Sequence, residues 1–85
     1  MKKHNSNVLN YSVIFEQADD GGFTATVPAL PGCISEGDTF EEAKDNISEA
    51  ITAYLGSLAK DGEEIPPVNS PLFIGNVQVQ NPAVV

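Results

Sequence analysis

Residues that commonly carry catalysis or bind metal are scarce in this sequence. It has one cysteine, Cys33, and one histidine, His4, in 85 residues. A single cysteine excludes an intrachain disulfide, and these two residues alone form no metal-binding motif. A nucleophile activated by a histidine would need that base nearby, and His4 stands close to the start of the chain. We therefore predict no metal, no cofactor, no catalytic residue and no enzymatic activity.

Long apolar runs are missing as well. None approaches the roughly 18 residues that a membrane-spanning helix needs. Residues 1–7, MKKHNSN, are not followed by the apolar stretch of a secretory signal. Together with the single cysteine, this predicts a cytoplasmic protein that has no membrane partner.

Basic residues are few, 4 against 12 acidic ones, and the formal net charge is −8. All twelve acids lie between residues 16 and 64, where two lysines leave a net charge of −10, and residues 65–85 carry no charge. Such an acidic body repels nucleic-acid phosphates. We predict no direct contact with nucleic acid, and a basic protein is the natural partner. The alternative is that the acids only keep a small protein soluble.

Two short runs alternate apolar and polar side chains as half-buried strands do. The first covers residues 8–16, VLNYSVIFE, and the second covers residues 23–27, FTATV. The linking sequence QADDGG contains Gly21 and Gly22, and glycine accepts the conformations that tight turns require. These runs predict an antiparallel hairpin with one apolar face.

The chain then has to turn between residues 27 and 33. Pro28 has no N–H to give to a sheet, and Pro31-Gly32 is a turn dipeptide. A short third strand is predicted over residues 33–37, ending at Gly37. Cys33 is interpreted as a small apolar residue on this strand.

A long helix is predicted over residues 40–60. Thr39 and Glu42 match a capping box, in which each side chain bonds a backbone N–H of the helix start. Apolar residues recur at three- and four-residue spacing and make one stripe. They are Phe40, Ala43, Ile47, Ala50, Ile51, Tyr54, Leu55 and Leu58.

The order β-β-β-α-β results once residues 72–79 are interpreted as a last strand. It predicts one α+β domain over residues 1–85, in which a small, mainly antiparallel sheet carries one long helix on one face. Residues 80–85 are expected to be a loose tail. An exposed sheet edge in so small a domain favours a homo-oligomer, either a dimer or a tetramer.

The candidate partner-binding residues are the acids around the helix start and one turn beyond it. They are Glu36, Asp38, Glu41, Asp45 and Glu49. The alternative is that Asp38 and Glu41 only stabilise the positive end of the helix dipole. A second set is interpreted as structural turns and cap: Gly21, Gly22, Pro28, Pro31, Gly32, Gly37, Thr39 and Glu42.

Residues 11–66 closely resemble the HicB-like antitoxin family, over about two thirds of the chain. The most specific motifs are GGF, then VPALPGCISEGDTFEEA, then DGEEIP after the helix. The resemblance implies a truncated ribonuclease H-like domain, in agreement with the predicted order of elements. Many members also carry a C-terminal DNA-binding domain, but residues 68–85 have no helical pattern, so we expect neither that domain nor autorepression by this protein alone.

The resemblance further implies a function and a partner. The protein would bind and neutralise a small, basic HicA-type toxin, an mRNA-cleaving ribonuclease with a double-stranded-RNA-binding fold and a catalytic histidine. It would do so by covering the toxin's active site or RNA-binding surface.

Two alternatives stay open. One is an orphan homo-oligomeric interaction domain without a toxin. The other is a residual metal-dependent nuclease with Glu16 and Glu49 as ligands, which is disfavoured because a last strand without an acid cannot complete a two-metal site.

Overall fold

The structure is a computed structural model that describes residues 8–68 and 71–84. In chain order it contains strand β1 (Ile14–Gln17), strand β2 (Phe23–Thr26), strand β3 (Ile34–Gly37) and helix α1 (Phe40–Lys60). The strands form one antiparallel sheet in the order β1-β2-β3, and α1 packs against β2 and β3. The predicted α+β class, with a small antiparallel sheet and one long helix, is confirmed.

The β1–β2 hairpin closes through a tight turn over residues 18–22. Gly21 has a φ of 94°, a conformation that other residues rarely adopt. The Ala18 N–H donates to the Gly22 carbonyl at 2.7 Å, and the Gly22 N–H donates to Asp20 Oδ1 at 2.9 Å. The Asp-Gly-Gly sequence is therefore part of a hydrogen-bonded turn that sets the strand register.

This register separates the two faces of the sheet, because successive side chains on a strand point to opposite sides. On the helix side, Phe15, Ala25 and Ser35 lie opposite one another across the three strands. The other side, which we call the open face, carries two cross-strand rows: Ile14, Thr26 and Ile34 in one, and Glu16, Thr24 and Glu36 in the next.

The loop between β2 and β3 folds onto the core as it reverses the chain. The Val27 N–H donates to the Cys33 carbonyl at 3.1 Å, and the Cys33 N–H donates to the Leu30 carbonyl at 2.9 Å. Gly32 allows this path with a φ of 83°. Val27, Leu30 and Cys33 are all buried, so the loop supplies core side chains as well as a turn.

Helix α1 closes the core with its inward side. Ala43 and Ile47 are buried there, and the Phe40 ring lies 4.6 Å from the Phe15 ring and 5.9 Å from the Phe23 ring, centroid to centroid. Tilted and edge-to-face ring pairs add to the stabilisation from apolar burial. Further partly buried side chains surround this core: Tyr11, Val13, Ala50, Ile51, Tyr54 and Leu55.

The first strand is shorter than predicted. Residues 8–13 precede the sheet, and pairing begins at Ile14, which lies opposite Thr26. The reason is on the partner strand, because β2 ends at Thr26 and Pro28, which the same register would place opposite Ser12, has no N–H to donate. The residues before Ile14 therefore have no ladder to join on that side.

The predicted last strand is not formed in the described part of the chain. Residues 71–81 contain no helix, strand, turn or bend, and their side chains are exposed. A strand needs a neighbour for its backbone N–H and C=O groups. The sequence pattern of residues 72–79 favours a strand, but none of the three described strands pairs with it.

Two glycine substitutions are expected to change stability in opposite directions. A Cβ at Gly37 would lie 2.8 Å from the backbone carbon of Glu42, so Gly37→Ala must push helix and strand apart and should lower the free energy of unfolding by about 1–3 kcal/mol. Gly56 is exposed within α1, and no atom lies near its Cβ position. Gly56→Ala should therefore raise the free energy of unfolding by about 0.5–1 kcal/mol. Urea unfolding measures both, and equal effects would contradict the close approach at Gly37.

Candidate functional site

The start of helix α1 is stabilised by hydrogen bonds of side chains that follow strand β3. Thr39 is the N-cap, and its Oγ1 accepts from the Glu42 N–H at 3.1 Å. Glu42 Oε1 accepts from the Asp38 N–H at 2.8 Å, one residue earlier than the Thr39 N–H of the predicted capping box. The Asn46 side chain donates to the Glu36 carbonyl at 2.8 Å and ties the next turn of α1 to β3.

Three of the five predicted contact acids form one row on the helix. Glu41, Asp45 and Glu49 stand at four-residue spacing, are exposed, and lie on the side of α1 opposite the buried Ala43 and Ile47. We call this row the helix stripe. Within residues 8–68 and 71–84, none of these three carboxylates takes part in a salt bridge or side-chain hydrogen bond.

The other two predicted contact acids lie elsewhere. Glu36 is on the open face, and Asp38 precedes the helix; both line a depression of about 400 Å³ at the end of the sheet. Asp20 and Glu42 line it too, and each accepts a backbone N–H bond. We call these four acids the sheet-end cluster. The five predicted contact acids thus lie on two separate acidic surfaces, the helix stripe and the sheet-end cluster.

The remaining residues predicted as structural lie in the turns. Pro28 and Pro31 are exposed in the β2–β3 loop, and the Pro31 carbonyl accepts from the Tyr54 hydroxyl at 3.0 Å. A Cβ at Gly22 would lie 3.2 Å from the Gly37 carbonyl oxygen, which leaves little room for a side chain.

The two acids of the nuclease hypothesis do not converge. Glu16 is on the open face of the sheet, whereas Glu49 is on the outer side of the helix, so the sheet and the helix separate them. Among the described residues, no three His, Cys, Asp or Glu side chains are grouped so that they could hold a metal ion. His4 lies outside these residues. In the same part of the chain, no helix is both long and apolar enough to cross a membrane.

Two titratable groups are perturbed by burial. Burial raises the pKa of the Cys33 thiol, which therefore stays protonated and unreactive at neutral pH. Burial also raises the pKa of the Tyr11 hydroxyl, which donates to the Pro66 carbonyl at 2.7 Å. Both groups serve the fold. Tyr11 fixes the chain after the helix against the segment that leads into β1.

An apolar groove lies beside β1, and the sequence patterns did not reveal it. It has a volume of about 680 Å³ between residues 8–15 and the helix. Phe15, Ile51 and Leu55 are among its apolar lining residues, and Lys44, Ser48 and Thr52 of the helix line it as well. A second depression, of about 380 Å³, lies where Tyr11 meets Pro66 and Leu72. The long apolar stripe of α1 could have indicated this groove, because the stripe extends past the residues that the three short strands can cover.

The amino-acid sequence can be compared with those of known proteins. The family model described as HicB_like antitoxin of bacterial toxin-antitoxin system matches residues 11–82. A UPF0150 protein of Synechocystis is 49% identical over 69% of this chain and 75% of its own length. A UPF0150 protein of Thermoplasma acidophilum is 48% identical over 73% of this chain and 90% of its own length.

A further relative is named as an antitoxin. Antitoxin HicB 1 of Photorhabdus laumondii is 31% identical over 68% of this chain, a region that makes up 37% of that longer protein. The match of the family model covers most of the chain and includes the hairpin, the loop, the helix and the segment after it. The chain therefore belongs to the HicB-like antitoxin family.

The N-cap gives a test of the helix start. Thr39→Ala removes the Oγ1 acceptor of the Glu42 N–H and should lower the free energy of unfolding by about 1 kcal/mol. Thr39→Ser retains a hydroxyl acceptor and should retain most of this stabilisation. Thr52→Ala is the matched control, because that hydroxyl only donates to the Ser48 carbonyl inside the helix. Urea unfolding is the measurement, and equal losses for Thr39→Ala and Thr52→Ala would contradict the cap.

Cys33 allows a chemical test of the buried loop. Because its thiol is buried and its pKa is raised, iodoacetamide at pH 8 should alkylate the native protein at least about tenfold more slowly than the protein in urea. Mass spectrometry follows the reaction without ambiguity, since the chain has one cysteine. Equal rates in the two states would show that the β2–β3 loop does not cover Cys33.

Proposed function

We propose that this protein is an antitoxin that binds and neutralises a small, basic HicA-type ribonuclease. The observation that carries the proposal is membership of the HicB-like antitoxin family over residues 11–82. The charge distribution supports it, because the body of the chain has a net charge of −10 between residues 16 and 64. Family membership also favours a binding role over an enzymatic one.

The helix stripe is the favoured contact surface. A helix rises about 1.5 Å per residue, so Glu41, Asp45 and Glu49 present carboxylates about 6 Å apart along about 12 Å. The spacing resembles that of successive phosphates along an RNA strand, which a ribonuclease binds with basic side chains. Within residues 8–68 and 71–84 none of the three carboxylates bonds another residue, which supports their availability to a partner.

Neutralisation would then be competition for the toxin's basic surface. An antitoxin that occupies the side chains that contact RNA phosphates blocks the substrate without any chemistry of its own. Charge complementarity of this kind mainly accelerates the encounter and selects the partner, while shape and apolar contacts set the lifetime of the complex. Glu36 and Asp38 belong to the proposed contact only if the toxin also reaches round the helix start to the sheet-end cluster.

The direct test is co-expression with the product of the adjacent gene. Rescue of growth and co-purification of a stable complex would support the antitoxin. A toxic neighbour that forms no complex and is not rescued would contradict the proposal.

Charge reversal tests the contact surface. The triple variant Glu41→Lys, Asp45→Lys, Glu49→Lys should slow association with the toxin by about tenfold or more at low salt, because steering by opposite charge is lost. Its melting temperature should change little, since all three side chains are exposed. Stopped-flow or surface plasmon resonance gives the association rate.

A matched control separates local charge from net charge. Asp19→Lys, Glu63→Lys, Glu64→Lys makes the same change at three exposed acids away from the stripe, so it should slow association far less. Equal slowing by the two triple variants would reject the helix stripe. The pair Glu36→Lys, Asp38→Lys decides whether the sheet-end cluster takes part.

A homo-oligomeric interaction domain without a toxin is the second candidate function. The observation that favours it is the uncharged and exposed segment after the helix, in which Phe73, Ile74 and Val77 face solvent. Absence of a toxic neighbouring gene would favour this second candidate function.

A further inference from the structure

The most unusual surface of the molecule is formed by residues 72–79, which we call the segment after the helix. Phe73, Val77 and Val79 are 88%, 86% and 82% exposed. A folded chain rarely leaves several large apolar side chains together in water unless another surface covers them. The protein also has a radius of gyration of 17.0 Å and a longest dimension of 61 Å, whereas a compact chain of this length has a radius of about 12 Å.

The segment has the composition and the alternation of a strand. Phe73, Val77 and Val79 share one side of an extended chain, and from residue 76 onward the other side is polar, with Asn76 and Gln78. Leu72 and Ile74 precede these two residues on that second side. Residues 71–81 include no turn or bend that would prevent an extended path. What the segment lacks is a sheet edge.

The sheet has a suitable edge at β1. This strand pairs with β2 on one side, and no described strand lies along its other side. The apolar groove between residues 8–15 and helix α1 adjoins this edge, and after Leu72 no residue of the segment lines either this groove or the neighbouring depression. The open edge and its groove are thus unoccupied by the segment of the same chain.

The opposite edge, at β3, is less suited. The Glu36 carbonyl already accepts from the Asn46 side chain at 2.8 Å, so helix α1 occupies an acceptor of that strand, whereas no such bond is made to β1 by the described part of α1. Covering an edge with another element is a common way to prevent pairing of further strands. The asymmetry of the sheet therefore selects β1.

We propose that residues 72–79 of one copy add as a strand to the free edge of β1 of a second copy, and that the exchange is reciprocal in a two-fold dimer. Phe73, Val77 and Val79 then cover the apolar groove of the partner copy. Each chain supplies the strand that the sequence pattern predicts and its own fold leaves unpaired. This dimer does not depend on a toxin.

Charge and area favour a second copy over another protein. The segment is neutral, so it can approach an acidic body without repulsion, and it offers no carboxylate to a basic partner. Two reciprocal eight-residue strands with their grooves bury an area on the order of the 1,600 Å² of a standard stable interface. Two-fold symmetry uses both segments and both grooves, whereas one partner molecule would use a single set.

Sedimentation equilibrium of the full chain and two matched variants tests this dimer. The wild type should sediment at twice its 9.0 kDa mass. Val77→Lys with Val79→Lys should raise the dimer dissociation constant by about a hundredfold or more, because two buried side chains are lost and two charges are introduced. Asn76→Lys with Gln78→Lys adds the same charge on the other side of the strand and should leave most of the dimer intact.

Several outcomes would overturn the proposal. They are a monomeric wild type at millimolar concentration, equal effects of the two lysine pairs, and a dimer unaffected by either. Hydrogen exchange locates the contact: amides of β1 and of residues 72–79 should be slower to exchange in the dimer than in the Val77→Lys, Val79→Lys variant. Protection along β3 instead would reject the β1 edge, and protection of the segment in a monomer would show that it docks on its own chain.

Discussion

The close approach of helix α1 to strand β3 at Gly37 is the contact on which the rest of the structure depends. Only a residue without a side chain lets the backbone at Glu42 and Ala43 come so near the strand. That approach brings Phe40 against Phe15 and Phe23 and buries Ala43 and Ile47. Because three four-residue strands form a very small sheet, the helix has to supply much of the core.

The same approach gives the acidic residues two different roles. Asp20 and Glu42 accept backbone N–H bonds and stabilise the hairpin turn and the helix start. The helix stripe does none of this, because it lies on the side of α1 that the sheet cannot reach. Among the described residues, the fold therefore uses some of its acids and leaves the helix stripe exposed.

The sheet is asymmetric, and its two edges suggest different partners. At β3 the Asn46 side chain bonds the Glu36 carbonyl, and Glu36 and Asp38 lie near the end of the strand, whereas at β1 the edge adjoins a partly apolar groove. The neutral segment after the helix matches the second environment and not the first. The proposed dimer through β1 and the proposed toxin contact at the helix stripe would use separate surfaces of the chain.

The sequence by itself determined the α+β class, both turns, the cap and the helix, because each depends on neighbours within a few residues: glycines at positive φ, Thr39 before the helix, apolar residues at helical spacing. It also predicted the family, through the motif between residues 27 and 43. Only the tertiary structure decided that Glu36 and Glu41 lie on different surfaces, and that residues 72–79 pair with none of the strands described in their own chain. Those facts depend on which elements meet in space, and local spacing along the chain does not contain that information.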